Sequence, residues 1–260
     1  MVTREHLLEV FKRKYEARQP VGWGPGLRLK FGYFNPDDIY EATVDSLVTA
    51  ETAWLDVGCG RDIFPSNAAM ARILAGRCRI LVGLDPSENI EENQFIHERF
   101  QGTIESFQTE RRFDLVTLRM VAEHISDPSA TAAALSRLAK PGGLVVIYTV
   151  YKWSPVTMVS STAPFWLHHV VKKAIWNTEE KDTFPTEYRM NTRRDLRRIM
   201  QAAGFAEETF SYLDDCRSLA RWKLGSLFEL SVWKVLQTAR LHYPEVCLLG
   251  TYRKRHTAGS

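Results

Sequence analysis

The run Trp54-Leu55-Asp56-Val57-Gly58-Cys59-Gly60-Arg61 ends an apolar stretch in an acidic residue and follows it with two glycines separated by one position. Glycine belongs where a backbone bends tightly and where a ligand must approach the chain without a Cβ in between. A pair of this kind also suits a plain strand-to-helix turn. The dinucleotide-binding form of the turn carries a further glycine three positions on. Position 63 is Ile, so NAD is disfavoured. A second apolar stretch, Leu81-Val82-Gly83-Leu84-Asp85-Pro86, again closes on an acid. A carboxylate there can accept both hydroxyls of a ribose. The other reading makes Asp85 a helix N-cap with Pro86 at the first helical position. Coming after Asp56 and the glycines, Asp85 is better read as the ribose acceptor. A third stretch, Phe113 to Leu118, leads through Arg119 to Glu123-His124. Imidazole is the side chain that titrates nearest neutrality, which makes His124 the candidate general base. The alternative is that Glu123-His124 only braces the turn by hydrogen bonding.

The elements that must position these residues follow from the pattern around them. Apolar runs at 53–57, 80–84, 113–118 and 144–149 read as strands covered on both faces, with a weaker strand around Thr103–Phe107. Helical patterns between them require parallel pairing. Residues 3–18 read as a helix capped by Thr3, Gly22-Trp23-Gly24-Pro25-Gly26 as a loop, and the stretch from Pro36-Asp37 as a helix with Ile39, Tyr40, Val44, Leu47 and Val48 on its apolar side. Asp127-Pro128 starts a helix to Leu138, which Pro141-Gly142-Gly143 stops. Residues 150–190 break the alternation and hold Trp153, Phe165, Trp166 and Trp176. They read as an inserted helical cover whose aromatics either line an apolar pocket or form the cover's own core. His168 and His169 lie within it, and at most one of two helical neighbours can face a substrate. Thr192 to Gly204 reads as a capped helix, followed by a strand at 208–213, a helix across 217–240 and a strand at 246–252. Tyr15, Trp23 and Tyr33 either close over a ligand or pack. The fold class is α/β, a doubly wound, mostly parallel sheet. A helical extension occupies 1–50, and the main domain spans 51–260 with its cover at about 151–190.

With these elements in place, Asp56-Val57-Gly58-Cys59-Gly60 resembles motif I of class I S-adenosylmethionine-dependent methyltransferases, and Asp85 matches their ribose-binding acid. Phe113-Asp114-Leu115-Val116 followed by Glu123-His124 resembles the fourth strand and turn of the ubiquinone-biosynthesis branch. Leu138-Ala139-Lys140-Pro141-Gly142-Gly143 matches the family's loop before strand five. The resemblance implies a seven-stranded sheet with a final antiparallel strand and S-adenosylmethionine as cofactor. It implies Asp56, Gly58, Cys59, Gly60, Asp85, Pro86 and Thr103 around that cofactor, with Ile104 packing on the adenine. Glu105 or the backbone would read the adenine amino group, and Arg119 would touch the methionine part through its backbone. Thr103 stands where the family often has an acid, and Asp62 replaces the third glycine of motif I. The related ubiquinone enzymes carry an E-x-x-E-H pattern for a divalent ion, whose first acid is Met120 here. A thioether is a poor magnesium ligand, so no metal is expected. The implied activity is methylation of a small apolar or aromatic molecule at oxygen, nitrogen or carbon. A non-catalytic binding subunit and a nucleic-acid methyltransferase are the rivals. Base-modifying enzymes of this fold carry an acid-or-amide Pro-Pro-aromatic turn where this chain has Arg119-Met120-Val121-Ala122. No basic groove is evident either.

Bulk properties agree with this reading. The 260 residues are 45% hydrophobic and 25% charged, enough for a full core. A net charge of +3 does not call for a nucleic-acid partner. The four cysteines lack C-x-x-C spacing and read as reduced thiols. The N-terminus is charged throughout, without the apolar core of a signal peptide, and no run of 18 apolar residues is present. A cytoplasmic protein acting on a small molecule is expected.

Overall fold

The computed structural model describes residues 2–16, 22–155, 157–158 and 185–256. Four of its strands lie where the apolar runs stand: β1 (Ala53–Val57), β2 (Ile80–Asp85), β4 (Phe113–Arg119) and β5 (Ala139–Val150). With β3 (Glu98–Gln101), β6 (Phe205–Asp214) and β7 (Glu245–Lys254) they form one seven-stranded sheet of order β3-β2-β1-β4-β5-β7-β6. Strands β1 to β5 pair in parallel, and β7 runs antiparallel between β5 and β6. The chain winds outward from β1 to β3 and then returns beside β1 with β4. Ligands of open α/β sheets bind at such a reversal, beyond the carboxyl ends of the strands.

Successive residues of a strand face opposite sides of the sheet, and β1 shows what covers each. Leu55 packs with Val82, Val116 and Ile147 under α5 (Pro128–Leu138) and α6 (Arg193–Ala202). Trp54 packs with Leu81, Leu115 and Val146 under α3 (Pro36–Leu47) and α4 (Ala68–Arg77). Helices on both faces explain why these strands read as continuous apolar runs. The caps also formed as expected: Asp127 Oδ1 accepts Ser129 N and Ala130 N at 3.0 Å, Thr192 Oγ1 accepts Asp195 N at 3.1 Å, and Gly204 leaves α6 at φ +88°.

Helices α1 (Arg4–Glu16), α2 (Trp23–Phe31) and α3 are joined by buried charge. Asp38 accepts Lys14 Nζ at 3.0 Å, Tyr15 OH at 3.0 Å and Arg28 Nη1 at 2.9 Å. Lys14 also donates to Glu41 at 2.8 Å, whose other oxygen accepts Asn67 Nδ2 at 2.7 Å. Burial opposes the charged Lys14 ammonium, but Glu41 and Asp38 outweigh it and raise its pKa. Buried ions require this kind of partnering.

Several expectations are corrected. Residues 103–107 are not a strand; β3 is Glu98–Gln101, a mostly exposed edge strand whose polar residues give no apolar run. The glycine-rich stretch at 22–26 is not a loop but opens α2. Leu27 and Phe31 pack beside Leu230 and Trp233 of α7 (Lys223–Thr238), and Gly32 closes the helix in the left-handed region at φ +69°. Tertiary burial outweighs the weak helix propensity of glycine there. Pro141-Gly142-Gly143 lies within β5, since α5 already ends at Leu138. The last helix is shorter than 217–240, because residues 217–222 form turns. Of the expected cover, Phe165, Trp166, His168, His169 and Trp176 lie outside the described residues. Among the described residues no helix is long and apolar enough to cross a membrane.

Candidate active site

The carboxyl ends of β1 and β2 set the first part of the site. Gly58 turns at φ +73°, where a Cβ would lie 2.2 Å from Val121 Cγ2, and Gly60 follows at φ +45°. A side chain at Gly58 is therefore excluded by both backbone and space. Gly60 N donates to Asp85 Oδ2 and Ser87 N to Asp85 Oδ1, both at 2.8 Å. Ser87, rather than Asp85, caps the short 3-10 turn at 88–92, and Pro86 is exposed. Asn93, fully buried, straps the glycine turn by donating to the carbonyls of Cys59 at 3.3 Å and Gly60 at 3.0 Å. Gly83 of β2 is needed for close packing, because a Cβ there would meet Ile96 and the Cys59 sulfur below 3 Å. Burial pushes the Cys59 thiol pKa well up, so that sulfur packs and does no acid–base work.

Asp56 points into a sealed pair of strands. Trp54 Nε1 donates to Thr117 Oγ1 at 2.7 Å, and that hydroxyl donates to Asp56 Oδ1. Burial raises the Asp56 carboxyl to about 7, against the lowering effects of Thr117 and Arg119.

At the end of β4, Arg119 Nη2 donates to Asp37 Oδ1 at 3.0 Å. Arg217 Nη1 reaches Asp37 Oδ2 at 2.6 Å and also forks onto Asp215. Tyr148 OH completes the group at 3.4 Å from Asp37 Oδ1 and stacks on Tyr40 with ring centroids 5.1 Å apart. Burial opposes the ionised Asp37, but Arg119 and Arg217 prevail and hold its pKa at about 2. Burial pushes the Tyr148 phenol well above its ordinary value, which makes it a donor and not a base at neutral pH.

Beyond Met120, itself at φ +52°, a 3-10 turn carries Glu123 and His124. The Glu123 carboxyl is buried and accepts Thr149 Oγ1 at 2.7 Å, and burial raises its pKa. Its backbone carbonyl accepts Glu187 N at 2.7 Å and Tyr188 N at 3.2 Å. His124 Nδ1 lies 2.9 Å from the Pro185 carbonyl oxygen.

Sheet topology thus puts Asp56, Gly58, Cys59, Gly60, Asp85, Arg119 and His124 along the carboxyl ends of β1, β2 and β4. Thr103 is exposed, and Ile104 is buried in the cluster containing Val57 and Leu84. Glu105 accepts Thr131 Oγ1 of α5. Tyr15 and Tyr33 pack: Tyr15 on Asp38, and Tyr33 between the Asp214 carbonyl and Cys216 N. Trp23 is largely exposed. Spacing gave no sign of Asp37, Asn93 or Arg217. A basic surface also went unread: Arg193, Arg194, Arg197 and Arg198 line an open cleft of ≈ 560 Å³ with Tyr212. Arg193 is paired there with Glu207 and Arg198 with Asp195.

A family model described as "Methyltransferase domain" matches residues 31–209. The chain belongs to the methyltransferase-domain family. It is similar to a ubiquinone biosynthesis O-methyltransferase of Rhodopseudomonas palustris, 24% identical over 71% of this chain and 70% of that one. Its likeness to another of that name from Proteus mirabilis, 34% identical, covers 37% of this chain and only 41% of the relative. The N-methyltransferase NodS of Bradyrhizobium japonicum, solved with S-adenosyl-L-homocysteine, shares the fold at TM-score 0.50 and 14% identity, over 94% of this chain and all of that one. The protein is an S-adenosylmethionine-dependent methyltransferase. Its own residues fit that cofactor. Gly60 turns at φ +45° with no atom but an Asp85 oxygen within 4 Å of where a Cβ would stand, and each Asp85 oxygen accepts one backbone N–H and keeps a lone pair for a ribose hydroxyl.

Asp85→Asn is expected to weaken binding of S-adenosylmethionine by about tenfold or more, because it removes charge-assisted acceptance. The ligand-free unfolding midpoint of this methyltransferase is expected to fall by only a few degrees, since the amide oxygen still accepts one N–H. Titration calorimetry with an unchanged affinity would remove Asp85 from the ribose role.

Proposed function

We propose that this methyltransferase acts on a hydroxyl of a small aromatic molecule, and that His124 takes the hydroxyl proton. The supporting observation is the contact of His124 Nδ1 with the Pro185 carbonyl. A carbonyl only accepts, so Nδ1 carries the hydrogen and the basic lone pair of the neutral ring is on Nε2. The histidine stands just past the carboxyl end of β4, where ligands gather in such sheets.

When bound, S-adenosylmethionine supplies a methyl carbon made electrophilic by its sulfonium sulfur. The chain's own residues hold and align. Gly60 leaves the turn open to the ligand, and Asp85 accepts the ribose hydroxyls. Alignment of this kind contributes several kcal/mol. An acidic hydroxyl, such as a phenol or catechol, suits a histidine base better than an aliphatic alcohol does, because its proton is easier to remove. The likeness to the Rhodopseudomonas ubiquinone biosynthesis O-methyltransferase supports the same class.

The test is transfer of labelled methyl from S-adenosylmethionine to matched sets of phenols and catechols, amines, and nucleic acid. Label on phenolic oxygen is expected. Label confined to amines or to nucleic acid, which the α6 arginine cleft would then explain, would overturn the reading. Activity is also expected to survive prolonged treatment with EDTA. Met120 offers only a thioether, and the Glu123 carboxyl is turned inward to Thr149, leaving a poor donor set for a hard cation. Loss of activity on chelation with recovery on magnesium would refute that expectation.

A further inference from the structure

Helix α7 packs one face on the protein and leaves an apolar face exposed. Ser226, Glu229 and Leu230 are buried against the protein, and Trp233 meets the Tyr33 ring edge-on at 5.1 Å. The other face carries Leu224, Leu227, Phe228 and Val235 at i, i+3, i+4 and i+11, with Ser231 between the last two. These four are 80%, 41%, 65% and 67% exposed, and Trp222, directly before the helix, is 60% exposed. Single exposed apolar residues are ordinary, whereas several large ones on one helix face mark a docking surface.

The charges around this face have one sign. Arg221, Lys223, Lys234 and Arg240 are all exposed, and Lys223 and Lys234 fall on the same flank. The one acid between 216 and 244 is Glu229, which is buried and accepts Ser218 N, Leu219 N and Tyr243 OH. Helix α2, packed beside α7, has no acid and adds Lys30. A second copy of the chain is a poor occupant, because an isologous contact sets the same cations against each other.

We propose that this face docks the protein on an anionic lipid bilayer. Helix α7 lies in the plane of the interface, with Trp222, Leu224, Phe228 and Val235 toward the acyl chains and the cations at the headgroup phosphates. Apolar insertion beside a basic flank, with an aromatic at the boundary, is how interfacial helices bind. The inference does not depend on the substrate proposed above.

Co-sedimentation of the full chain with vesicles tests it, using phosphatidylcholine alone or mixed with phosphatidylserine. Binding to the mixed vesicles is expected, much weaker binding to the neutral ones, and loss of affinity as salt rises. Leu224→Ser with Phe228→Ser is expected to reduce binding by about tenfold or more. Lys223→Glu with Lys234→Glu is expected to do the same while leaving the exposed apolar residues intact. Both pairs alter exposed positions, so the unfolding midpoint should stay near that of the parent chain. Absence of vesicle binding, or binding indifferent to headgroup charge or to both double variants, overturns the proposal. So does a concentration-dependent dimer that the double serine variant abolishes, since the face then belongs to a second copy.

Discussion

Asp37→Ala is expected to destabilise the folded chain by about 3–5 kcal/mol at pH 7, the range for removing one partner of a buried ion pair. Asp37 is nearly all buried and accepts from Arg119, Arg217 and Tyr148. Arg217 keeps Asp215 as a partner when Asp37 is gone. Asp37 is the carboxylate that pairs with the Arg119 side chain among the described residues. The variant therefore leaves the mostly buried Arg119 guanidinium without its ion-pair partner. Urea unfolding measures the effect; a loss under about 1 kcal/mol would reduce the pair to the worth of a surface salt bridge.

The same residue carries a pH signature. Its pKa of about 2 lies below the ordinary 3.8. Its stabilisation is thus fully present above that ordinary value and is lost as pH falls through about 2. Asp56 works in the opposite sense. With its pKa raised from 3.8 to about 7, it withdraws stability as pH rises across that interval. The difference between parent and Asp37→Asn cancels the Asp56 contribution, which both share. That difference should shrink toward zero on acidification from about pH 4 to pH 2. A gap that stays constant across those pH values would mean that charge is not what Asp37 contributes.

What the sequence made legible was what is local and buried. Strands β1, β2, β4 and β5 announce themselves because helices cover both faces and no polar residue is required in the pattern. The glycine turn and Asp85 are legible because an acid, a tight turn and an ordered succession of strands leave a chemical mark. Strand β3 left none, since an edge strand of Glu98, Arg99, Phe100 and Gln101 is indistinguishable from a loop by hydropathy. Helix α2 was hidden by its glycines, and what holds it is contact with α7 far along the chain. Asp37 read only as part of a helix start beside Pro36. Its partners lie 82 and 180 positions away, and an ion pair at such separation has no periodicity to betray it. Asn93 was missed for the same reason, as its role depends on a turn 33 residues upstream.

His124→Ala is expected to lower turnover at saturating substrate by about 10²-fold or more, the usual worth of a general base, with affinity for S-adenosylmethionine nearly unchanged. If His124 takes the hydroxyl proton, the parent rate rises with pH through a single ionisation, and the residual rate of the alanine variant loses that step. A structural role predicts something different. The contact from His124 to Pro185 and those from the Glu123 carbonyl to Glu187 and Tyr188 together tie residues 185–188 to the turn after β4. Were this tether the whole contribution, the damage would come from a displaced segment. His124→Asn separates the two roles, because the asparagine amide can donate from nearly the position of Nδ1 yet has nothing that accepts a proton at neutral pH. His124→Gln does the reverse in space, reaching toward the Nε2 position with a group that hydrogen-bonds without basicity. Both variants should remain as slow as alanine if the ring is the base. Recovery of turnover in the asparagine variant, together with a pH profile shaped like that of the parent, would make His124 a positioning residue and leave the reaction to alignment alone.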